Sequence, residues 1–347
     1  MDLQNPRLRQ RGRASLDFLA LLGKQSGLVR EQVARDLDAA GVTAKTLPAD
    51  IEAAEAVIET ALAGSQAYAV QNLLGDWHGR SHGPISAAAF AEILPELQPV
   101  LAATLSGPAS LTLDPAMPRP DYWDGVEFHR TSGGWDGHPH MGYVHGELIH
   151  KKMVDRIFPG GIFGQRRKVA AMAPRDAYRR ILDMGCSSGH FTTALQENYP
   201  AAAITGIDLS ARMLEHALRT ANANGWTWQL HQMNAEHTSF ADASFDLVTS
   251  YIVFHEAPAA AIANIIAEAF RVLEPGGDML MSDVTRYADL DPVSRWKADR
   301  GAALGGEPHW RESASLDFKA MAEAAGFVDV RAEGLYPHVL IGRKPAQ

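Results

Sequence analysis

Short apolar runs alternate with stretches of helical periodicity in the C-terminal half of the chain. The apolar runs predict strands at residues 180–184, 203–207, 228–234, 245–253, 278–284, 328–331 and 336–343. Helical spacing of apolar residues is found at residues 146–157, 164–173, 189–198, 210–224, 258–273 and 313–325. Strands that alternate with helices typically form a doubly wound parallel sheet, whereas the short turn between the last two strands requires an antiparallel pair. The pattern predicts an α/β domain with a seven-stranded sheet whose last strand is antiparallel.

The N-terminal part of the chain lacks this alternation. Residues 7–105 show helical spacing, and glycines and prolines within them are predicted to separate or kink the helices. One helix is predicted to begin at the capping residue Asp50. The segment 106–142 is rich in Pro, Gly and aromatic residues, which is typical of a lid over a site or of a connector that packs on the core. We therefore predict a mainly α-helical N-terminal or cap region, residues 1–142, before the α/β domain, residues 143–347.

Charge and cysteine content restrict the possible partners and compartments. The formal net charge is −9 and the basic residues are scattered, which disfavours a nucleic-acid partner because phosphate binding needs a cationic face. Cys186 is the single cysteine, so an intramolecular disulfide is impossible and a reducing compartment is favoured. We find neither a convincing signal peptide nor an apolar run long enough to cross a bilayer. These features predict a cytoplasmic protein without a membrane partner.

A glycine-rich turn follows the first predicted strand of the α/β domain, in the sequence Ile181-Leu-Asp-Met-Gly-Cys-Ser-Ser-Gly-His190. Small residues here allow a ligand to approach the backbone, and the following helix offers free amide donors. A dinucleotide-binding turn would have glycine in place of Ser187, and the acid Asp183 would repel a pyrophosphate. An acid at that position instead suits a ligand with positive charge.

A second acid ends the next predicted strand. Asp208 lies about twenty residues after the turn, a spacing at which a carboxylate can accept hydrogen bonds from two ribose hydroxyls. The alternative is a structural role, in which Asp208 caps the following helix through Met213. The two acids together favour the ligand-binding interpretation.

These residues resemble motifs I and II of the class I S-adenosylmethionine-dependent methyltransferases, which have a Rossmann-like fold. The resemblance implies that Asp183 lies near the methionine ammonium, that the turn Gly185–Gly189 lines the methionine and ribose, and that Asp208 binds the ribose hydroxyls. Asn234-Ala235-Glu236 resembles the family's adenine-binding segment, and the runs 245–250 and 271–277 resemble motif IV and the turn before strand five. The predicted cofactor is S-adenosyl-L-methionine, and its predicted contacts are Asp183, Gly185, Cys186, Ser187, Gly189, Asp208, Leu209, Met213, Asn234, Ala235, Glu236 and Ser250.

The methyl acceptor is expected beyond the carboxyl ends of the strands, where ligands of open α/β sheets bind. His255 follows the fourth strand of the domain and is predicted to be a general base, with a structural role as the alternative. Tyr251 is a further predicted acceptor contact, and Tyr143 and Arg130 are predicted to contact the acceptor or the cofactor carboxylate. The expected partner is a small, partly apolar acceptor methylated on oxygen or carbon, and the helical region could also form a homodimer.

Five histidines lie close together in the sequence, at positions 129, 138, 140, 145 and 150. No cysteine accompanies them and their spacing fits no structural zinc pattern, so no metal is predicted. We expect them to line a substrate lid or to lie on the surface.

Two other functional classes stay open at the level of the sequence. A nucleic-acid or protein methyltransferase is one, although the segment 250–253 lacks the Asn/Asp-Pro-Pro-Tyr/Phe motif. The other is a protein that keeps the cofactor fold without transferring methyl groups.

Overall fold

A computed structural model describes residues 2–158 and 160–346. Long helices dominate the N-terminal part, and shorter ones are interspersed with strands afterwards. The α-helices are α1 (Gln10–Ala39), α2 (Ile51–Leu62), α3 (Gln66–Ala103), α4 (Met141–Tyr143), α5 (Asp155–Ile157), α6 (Ile162–Ala170), α7 (His190–Asn198), α8 (Ala211–Ala223), α9 (Ala259–Val272), α10 (Pro292–Gly305), α11 (Trp310–Ser315) and α12 (Phe318–Ala324). A π-helix, Val144–Val154, connects α4 with α5.

The strands form a single mixed sheet in the described part of the chain. They are β1 (Ser110–Thr112), β2 (Arg180–Met184), β3 (Ala203–Asp208), β4 (Gln229–Gln232), β5 (Phe245–Tyr251), β6 (Leu273–Asp283), β7 (Val328–Glu333) and β8 (His338–Arg343). Their order is β1-β4-β3-β2-β5-β6-β8-β7, and β8 runs antiparallel to both of its neighbours. The Rossmann-like fold and the antiparallel last strand are confirmed. The predicted number of seven strands is wrong, because β1 adds an eighth.

Strand β1 comes from the segment that we predicted to be irregular. Its three residues pair in parallel with β4, and Asn222 of α8 accepts a hydrogen bond from the Ala109 amide at 2.9 Å. A strand of this length is too short to show alternation of buried and exposed residues. The segment 106–142 is therefore joined to the sheet, although we placed it with the N-terminal region.

Helices α1 and α3 run without the predicted breaks. Helix α3 continues through Pro84, Pro95 and Pro99, and its glycines allow close packing rather than ending the helix. A Cβ at Gly79 would lie 2.8 Å from the Leu304 carbonyl oxygen of α10. Tertiary packing therefore outweighs the low helix propensity of these residues. Helix α2 begins as predicted, since the Asp50 carboxylate accepts a hydrogen bond from the Ala53 amide at 2.8 Å.

Both faces of the sheet are covered by helices. One buried cluster joins the sheet to α7 and α8, and a second joins it to α9 and α12. The N-terminal helices have separate cores, one shared with the π-helix and the other with Trp296 of α10. By length and composition alone α3 could also cross a membrane, but here it packs against α1, α10 and the π-helix. The N-terminal helices thus cover the edge at which the parallel strands end.

Candidate active site

A cavity of about 460 Å³ lies at the carboxyl ends of β2, β3 and β5. The turns that follow these strands form its floor, and α3, the π-helix, α6 and the segment between α10 and α11 form its walls. Of the residues that the sequence analysis assigned to the site, those that line the cavity are Gly185, Cys186, Ser187, Asp208, Leu209, Met213, Asn234, Ala235, Tyr251 and His255.

The glycine-rich turn is bent tightly against the end of β3. The amides of Gly185 and Cys186 both donate to the Ile207 carbonyl oxygen, at 2.8 and 2.9 Å. Gly185 has a φ of +70°, and a Cβ on it would lie 2.6 Å from Cγ2 of Val253. Ser187 adopts a φ of +50°, a region that non-glycine residues rarely occupy and that is found mainly at functional sites. The turn therefore exposes its backbone to the cavity.

Gly189 does not line the cavity, contrary to our prediction. It is the N-cap of α7 with a φ of +84°, and a Cβ on it would lie 2.9 Å from Cζ3 of Trp228. Its role is to let α7 start close to the core beneath the turn.

We expect Gly189→Ala to lower the free energy of unfolding by about 2–5 kcal/mol. A residue with a Cβ is strained in this left-handed conformation, and the added methyl group would also overpack against Trp228. Gly225 is a matched control, since it has a φ of +69° but open space around its Cβ position. Gly225→Ala should cost only about 1–2 kcal/mol. Chemical denaturation measures both, and equal losses would show that the Trp228 contact is unimportant.

The carboxylate of Asp208 organises the two turns on either side of it. It accepts hydrogen bonds from the amides of Ser187 and Ser210, each at 2.8 Å. The cap of α8 is Ser210, whose hydroxyl accepts from the Met213 amide at 3.1 Å. The alternative interpretation, that Asp208 caps this helix through Met213, is therefore wrong. Burial raises the pKa of Asp208 to about 7, against the opposing effect of the two amide hydrogen bonds.

Asp183 lies behind the cavity rather than in its wall. Its carboxylate accepts hydrogen bonds from the hydroxyls of Thr192 at 2.6 Å and Thr249 at 3.2 Å, and it is almost fully buried. Burial raises its pKa to about 7. The resemblance implies a place near the ligand ammonium, reached directly or through water; because α7 and β5 enclose the side chain, a direct contact is not available. An effect of Asp183 on a ligand would be electrostatic or would pass through the turn.

Two further predicted contacts, Glu236 and Ser250, lie outside the lining of the cavity. The Glu236 carboxylate accepts hydrogen bonds from the Tyr122 hydroxyl at 2.8 Å and the Asn264 side-chain amide at 2.9 Å, and the side-chain oxygen of Asn234 accepts from the Glu236 backbone amide at 2.9 Å. Glu236 thereby holds Asn234 and Tyr122, which do line the cavity. Ser250 is buried in β5, outside the lining.

Tyr143 and Arg130 do not reach the cavity, so these two assignments are corrected. Tyr143 is buried in the helical core, where its ring packs against Phe90 and His216. Arg130 forms an ion pair with Asp76 at 2.6 Å and donates to a carbonyl of α10 at 3.2 Å. Both side chains fix the N-terminal helices to the rest of the molecule.

His255 is held in a buried network of acids. Its Nδ1 lies 3.1 Å from Oδ1 of Asp283, and its Nε2 lies 3.7 Å from Oε2 of Glu307. Asp283 is itself fixed by the Phe254 amide, which donates to it at 2.8 Å. Burial alone would lower the pKa of His255, but the charge and hydrogen bond of Asp283, together with the charges of Glu307 and Glu256, outweigh burial and raise it to about 9. His255 is thus oriented by Asp283 and is protonated at neutral pH in the ligand-free protein.

The backbone bends sharply between β5 and His255. Ile252 has a φ of +59°, which is unfavourable for a β-branched residue, and it lines the cavity. Its amide donates to the Ser282 carbonyl oxygen at 2.7 Å, so the strained conformation is firmly held. Such strain concentrates where a fold must place side chains for function.

Histidines form much of the remaining wall. His129, His145 and His150 line the cavity as the lid hypothesis predicts, whereas His138 and His140 pack against Phe90 instead. Sequence reasoning missed other polar groups of the wall, among them His78, His82, Arg166, His190 and Glu307. Within residues 2–158 and 160–346, no group of three or more His, Cys, Asp or Glu side chains is arranged to hold a metal ion.

The comparisons with known proteins agree with the position of the cavity. Residues 181–277 match a methyltransferase-domain family. The chain is 33% identical over 120 residues to the ubiquinone/menaquinone biosynthesis C-methyltransferase of Desulfotalea psychrophila, covering 35% of this chain and 47% of that protein. It is 32% identical over 152 residues to the malonyl-[acyl-carrier protein] O-methyltransferase of Legionella pneumophila, covering 43% and 48%. The chain thus spans about half the length of the curated relatives it matches.

Among solved structures, phosphoethanolamine N-methyltransferase 2 of Haemonchus contortus in complex with S-adenosyl-L-methionine aligns with a TM-score of 0.48 and 15% identity. The alignment covers 65% of this chain and 60% of that one, a similarity too low to bear on function. The matched segment 181–277 contains the glycine-rich turn, Asp208, Asn234 and His255. Residues 181–277 therefore match a methyltransferase domain, which agrees with the resemblance to the class I S-adenosylmethionine-dependent methyltransferases found in the sequence.

Proposed function

We propose that the protein transfers the methyl group of S-adenosylmethionine to a small, partly apolar molecule enclosed in the cavity. The observation that carries the proposal is the position of Asp208, whose carboxylate lines the cavity beside the exposed backbone of the glycine-rich turn. A buried carboxylate can accept hydrogen bonds from ribose hydroxyls, and the small residues of the turn beside it allow the rest of a nucleoside ligand to approach closely.

The residues of the cavity fit this cofactor along its length. Asp208 would accept hydrogen bonds from the ribose hydroxyls, and Leu209 and Ala235 offer apolar contacts for the adenine. The Asn234 side chain lies at the same end and could bind a polar edge of the base. The turn at Gly185 and Ser187 would lie along the methionine portion. The sulfonium supplies an activated methyl group, so the protein need only align the acceptor and exclude water.

The acceptor would lie beyond the turn, under the helical cap. This part of the cavity is bounded by α3, the π-helix and the aromatic residues Trp135, Tyr251 and Trp310. A cavity of about 460 Å³ with walls of helices and aromatic rings favours a small molecule over a nucleic-acid strand or a protein segment. The malonyl-[acyl-carrier protein] O-methyltransferase and the quinone C-methyltransferase among the relatives support oxygen or carbon as the methylated atom.

His255 is the residue that we propose as general base. With Nδ1 directed to Asp283, the Nε2 atom is left to take a proton from the acceptor. Since the pKa of His255 is about 9 in the ligand-free protein, the base form must be produced on binding. The sulfonium charge would lower that pKa, because a nearby positive charge disfavours protonation.

Cofactor affinity should depend on pH through Asp208. Because ribose hydroxyls bind the carboxylate and the pKa of Asp208 is about 7 when free, binding should release protons and weaken as the pH falls below 7. We expect the Kd of S-adenosylhomocysteine to rise by up to about tenfold per pH unit there. Calorimetry in buffers of different ionisation enthalpy measures both effects, and Asp208→Asn should remove the dependence on this group. A Kd that is constant with pH would contradict the proposed contact.

The experiment that tests transfer is a screen with radiolabelled S-adenosylmethionine. The purified protein is incubated with small phenols, carboxylic acids and acidic-carbon compounds, and S-adenosylhomocysteine release is measured. Release that depends on one compound class supports the proposal. Release only with tRNA, DNA or protein would contradict it, and so would binding of the cofactor without release in any mixture. A cytoplasmic location, a homodimer and the lack of nucleic-acid and membrane partners stay predictions.

A further inference from the structure

The wall of the cavity contains a buried positive charge without a protein counter-ion. Arg166 of α6 is 8% exposed and lines the cavity. Asp155 attracts its charge but is bound to the Ile162 amide at 2.7 Å, and in the part of the chain that the structure describes no carboxylate forms an ion pair with the guanidinium. One nitrogen donates to the Ile162 carbonyl oxygen at 3.2 Å, and Nε has no partner. Burial of an unpaired charge is costly, so such a group usually has a ligand to bind.

The surroundings of Arg166 favour an anion rather than a structural partner. Its guanidinium lies between the rings of Phe163 and Tyr251, with 5.5 and 4.9 Å to the ring centroids. These rings fix the orientation of the group and exclude water from it, but they do not neutralise its charge.

The polar neighbours of Arg166 are also suited to donate hydrogen bonds. The rings of His145 and His150 pack at a tilt of 59° with 4.0 Å between their centroids, and Nδ1 of His150 lies 3.4 Å from Nδ1 of His190. Burial lowers the pKa of all three histidines, and the charge of Arg166 lowers it further, so they are neutral at pH 7. Each neutral imidazole carries one N–H donor. Nε2 of His190 is buried without a hydrogen bond and lies 4.0 Å from Oε1 of Glu147, a buried acid outside the cavity lining.

The acids of the cavity lie elsewhere in its wall. Glu256 and Glu307 are grouped with His129 and His255, where His129 is 3.6 and 3.1 Å from the two carboxylates. A ligand with a negative group and a reactive hydroxyl or carbon would therefore be oriented, with its charge at Arg166 and its reactive atom toward His255.

We propose that Arg166, with the neutral histidines beside it, forms an anion subsite that binds a carboxylate or phosphate group of the methyl acceptor. This inference rests on the proposed function and adds the substrate class to it. The carboxylate of the cofactor has the same chemistry, so the experiment must separate the two sources.

The first measurement concerns the cofactor. Calorimetry compares S-adenosylhomocysteine with 5′-deoxy-5′-methylthioadenosine, which lacks the amino acid portion, for the wild type and for Arg166→Met. Arg167→Met is the matched control, since Arg167 is the next residue of α6 but is exposed and paired with Glu197 at 2.7 Å. We expect all three proteins to bind S-adenosylhomocysteine equally. A loss confined to S-adenosylhomocysteine in Arg166→Met would assign the guanidinium to the cofactor and overturn the proposal.

The second measurement concerns the acceptor. Proteins saturated with S-adenosylhomocysteine are titrated with pairs of acids and their amides, such as 4-hydroxybenzoate with 4-hydroxybenzamide and octanoate with octanamide. We expect the wild type and Arg167→Met to prefer at least one acid over its amide by about tenfold or more, and Arg166→Met to lose that preference. The absence of any acid preference in the wild type, including no binding, would contradict the proposal while leaving cofactor binding intact.

Thermal melting of the ligand-free variants checks for a structural role. Arg166→Met should melt at or above the temperature of the wild type, because it removes an unpaired buried charge. Melting well below the wild type together with loss of cofactor binding would show that Arg166 is structural and would overturn the proposal.

Discussion

Asp208→Ala should weaken the binding of S-adenosylhomocysteine by roughly 1.5–3 kcal/mol, or about 10- to 150-fold in Kd. The carboxylate lines the cavity, and its replacement removes an acceptor for charged hydrogen bonds to the ribose. It also leaves the amides of Ser187 and Ser210 without their acceptor, which loosens the turn that lines the cofactor. Isothermal titration calorimetry at pH 8, where the carboxylate is ionised, measures the loss.

A matched variant separates the two contributions. Asp208→Asn keeps the size of the side chain and one acceptor oxygen but removes the charge, so it should preserve more of the turn and lose less affinity than Asp208→Ala. Asp246→Asn is a control at another buried acid. Asp246 lies at the start of β5, at the opposite end of the strand from the cavity, and accepts from the Arg179 and Arg180 amides at 2.8 Å. This substitution should leave the Kd unchanged. Unaltered affinity in Asp208→Ala would remove the basis of the assigned cofactor site.

His255→Gln should slow methyl transfer by about 10²- to 10⁴-fold while leaving the Kd of S-adenosylhomocysteine nearly unchanged. The imidazole is held by Asp283 and faces the cavity, but it is not among the groups that contact the proposed ribose and adenine positions. The measurement is single-turnover transfer to an acceptor found in the screen. An unchanged rate would dismiss His255 as the base, and a large loss of cofactor affinity would indicate a structural role.

The pH dependence gives a second test of the same residue. Because the base must be neutral, kcat/KM should rise with pH and level off above the pKa of His255 in the ligand-free protein, which is about 9. Asp283→Asn removes the main stabiliser of the charged imidazole, so the rise should move to lower pH. NMR titration of the imidazole in both proteins follows the pKa without an acceptor. An identical pKa in Asp283→Asn would contradict the role of Asp283.

Local signals were sufficient to predict most of the sheet domain. Strands β2, β3 and β5 are short apolar runs, each followed by turn residues, and Asp208 and His255 lie at strand ends where the topology brings them to one edge. The glycine-rich turn was recognised because its conformation needs small residues. These features are determined by residues that lie close together in the sequence, so they can be predicted from the sequence.

The cap could not be predicted in the same way, because its structure depends on contacts distant in the sequence. Helix α3 passes through three prolines because packing against α1 and α10 outweighs local propensity. His78 and His82 reach the cavity from this helix, and periodicity does not show which polar residues of a helix face an internal space. Arg166 and Glu307 could not be identified from the sequence either. What distinguishes Arg166 is the lack of an ion pair, and what distinguishes Glu307 is its position beside both His129 and His255.

Asp183 illustrates a different limit. The resemblance to a family places an acid near the cofactor, but the sequence does not say which way the side chain turns. In the structure it turns beneath α7, where Thr192 and Thr249 bind it. The motif therefore identified the strand end correctly, whereas the choice between a direct contact and one through water depended on the orientation of the side chain.

The central claim is that the edge formed by β2, β3 and β5 binds S-adenosylmethionine, and calorimetric titration of the purified wild-type protein with S-adenosylhomocysteine tests it most directly. The account predicts saturable binding of one molecule per chain, at least tenfold weaker in Asp208→Ala. Heat changes no larger than those of dilution, in a protein that is folded by circular dichroism, would contradict the account.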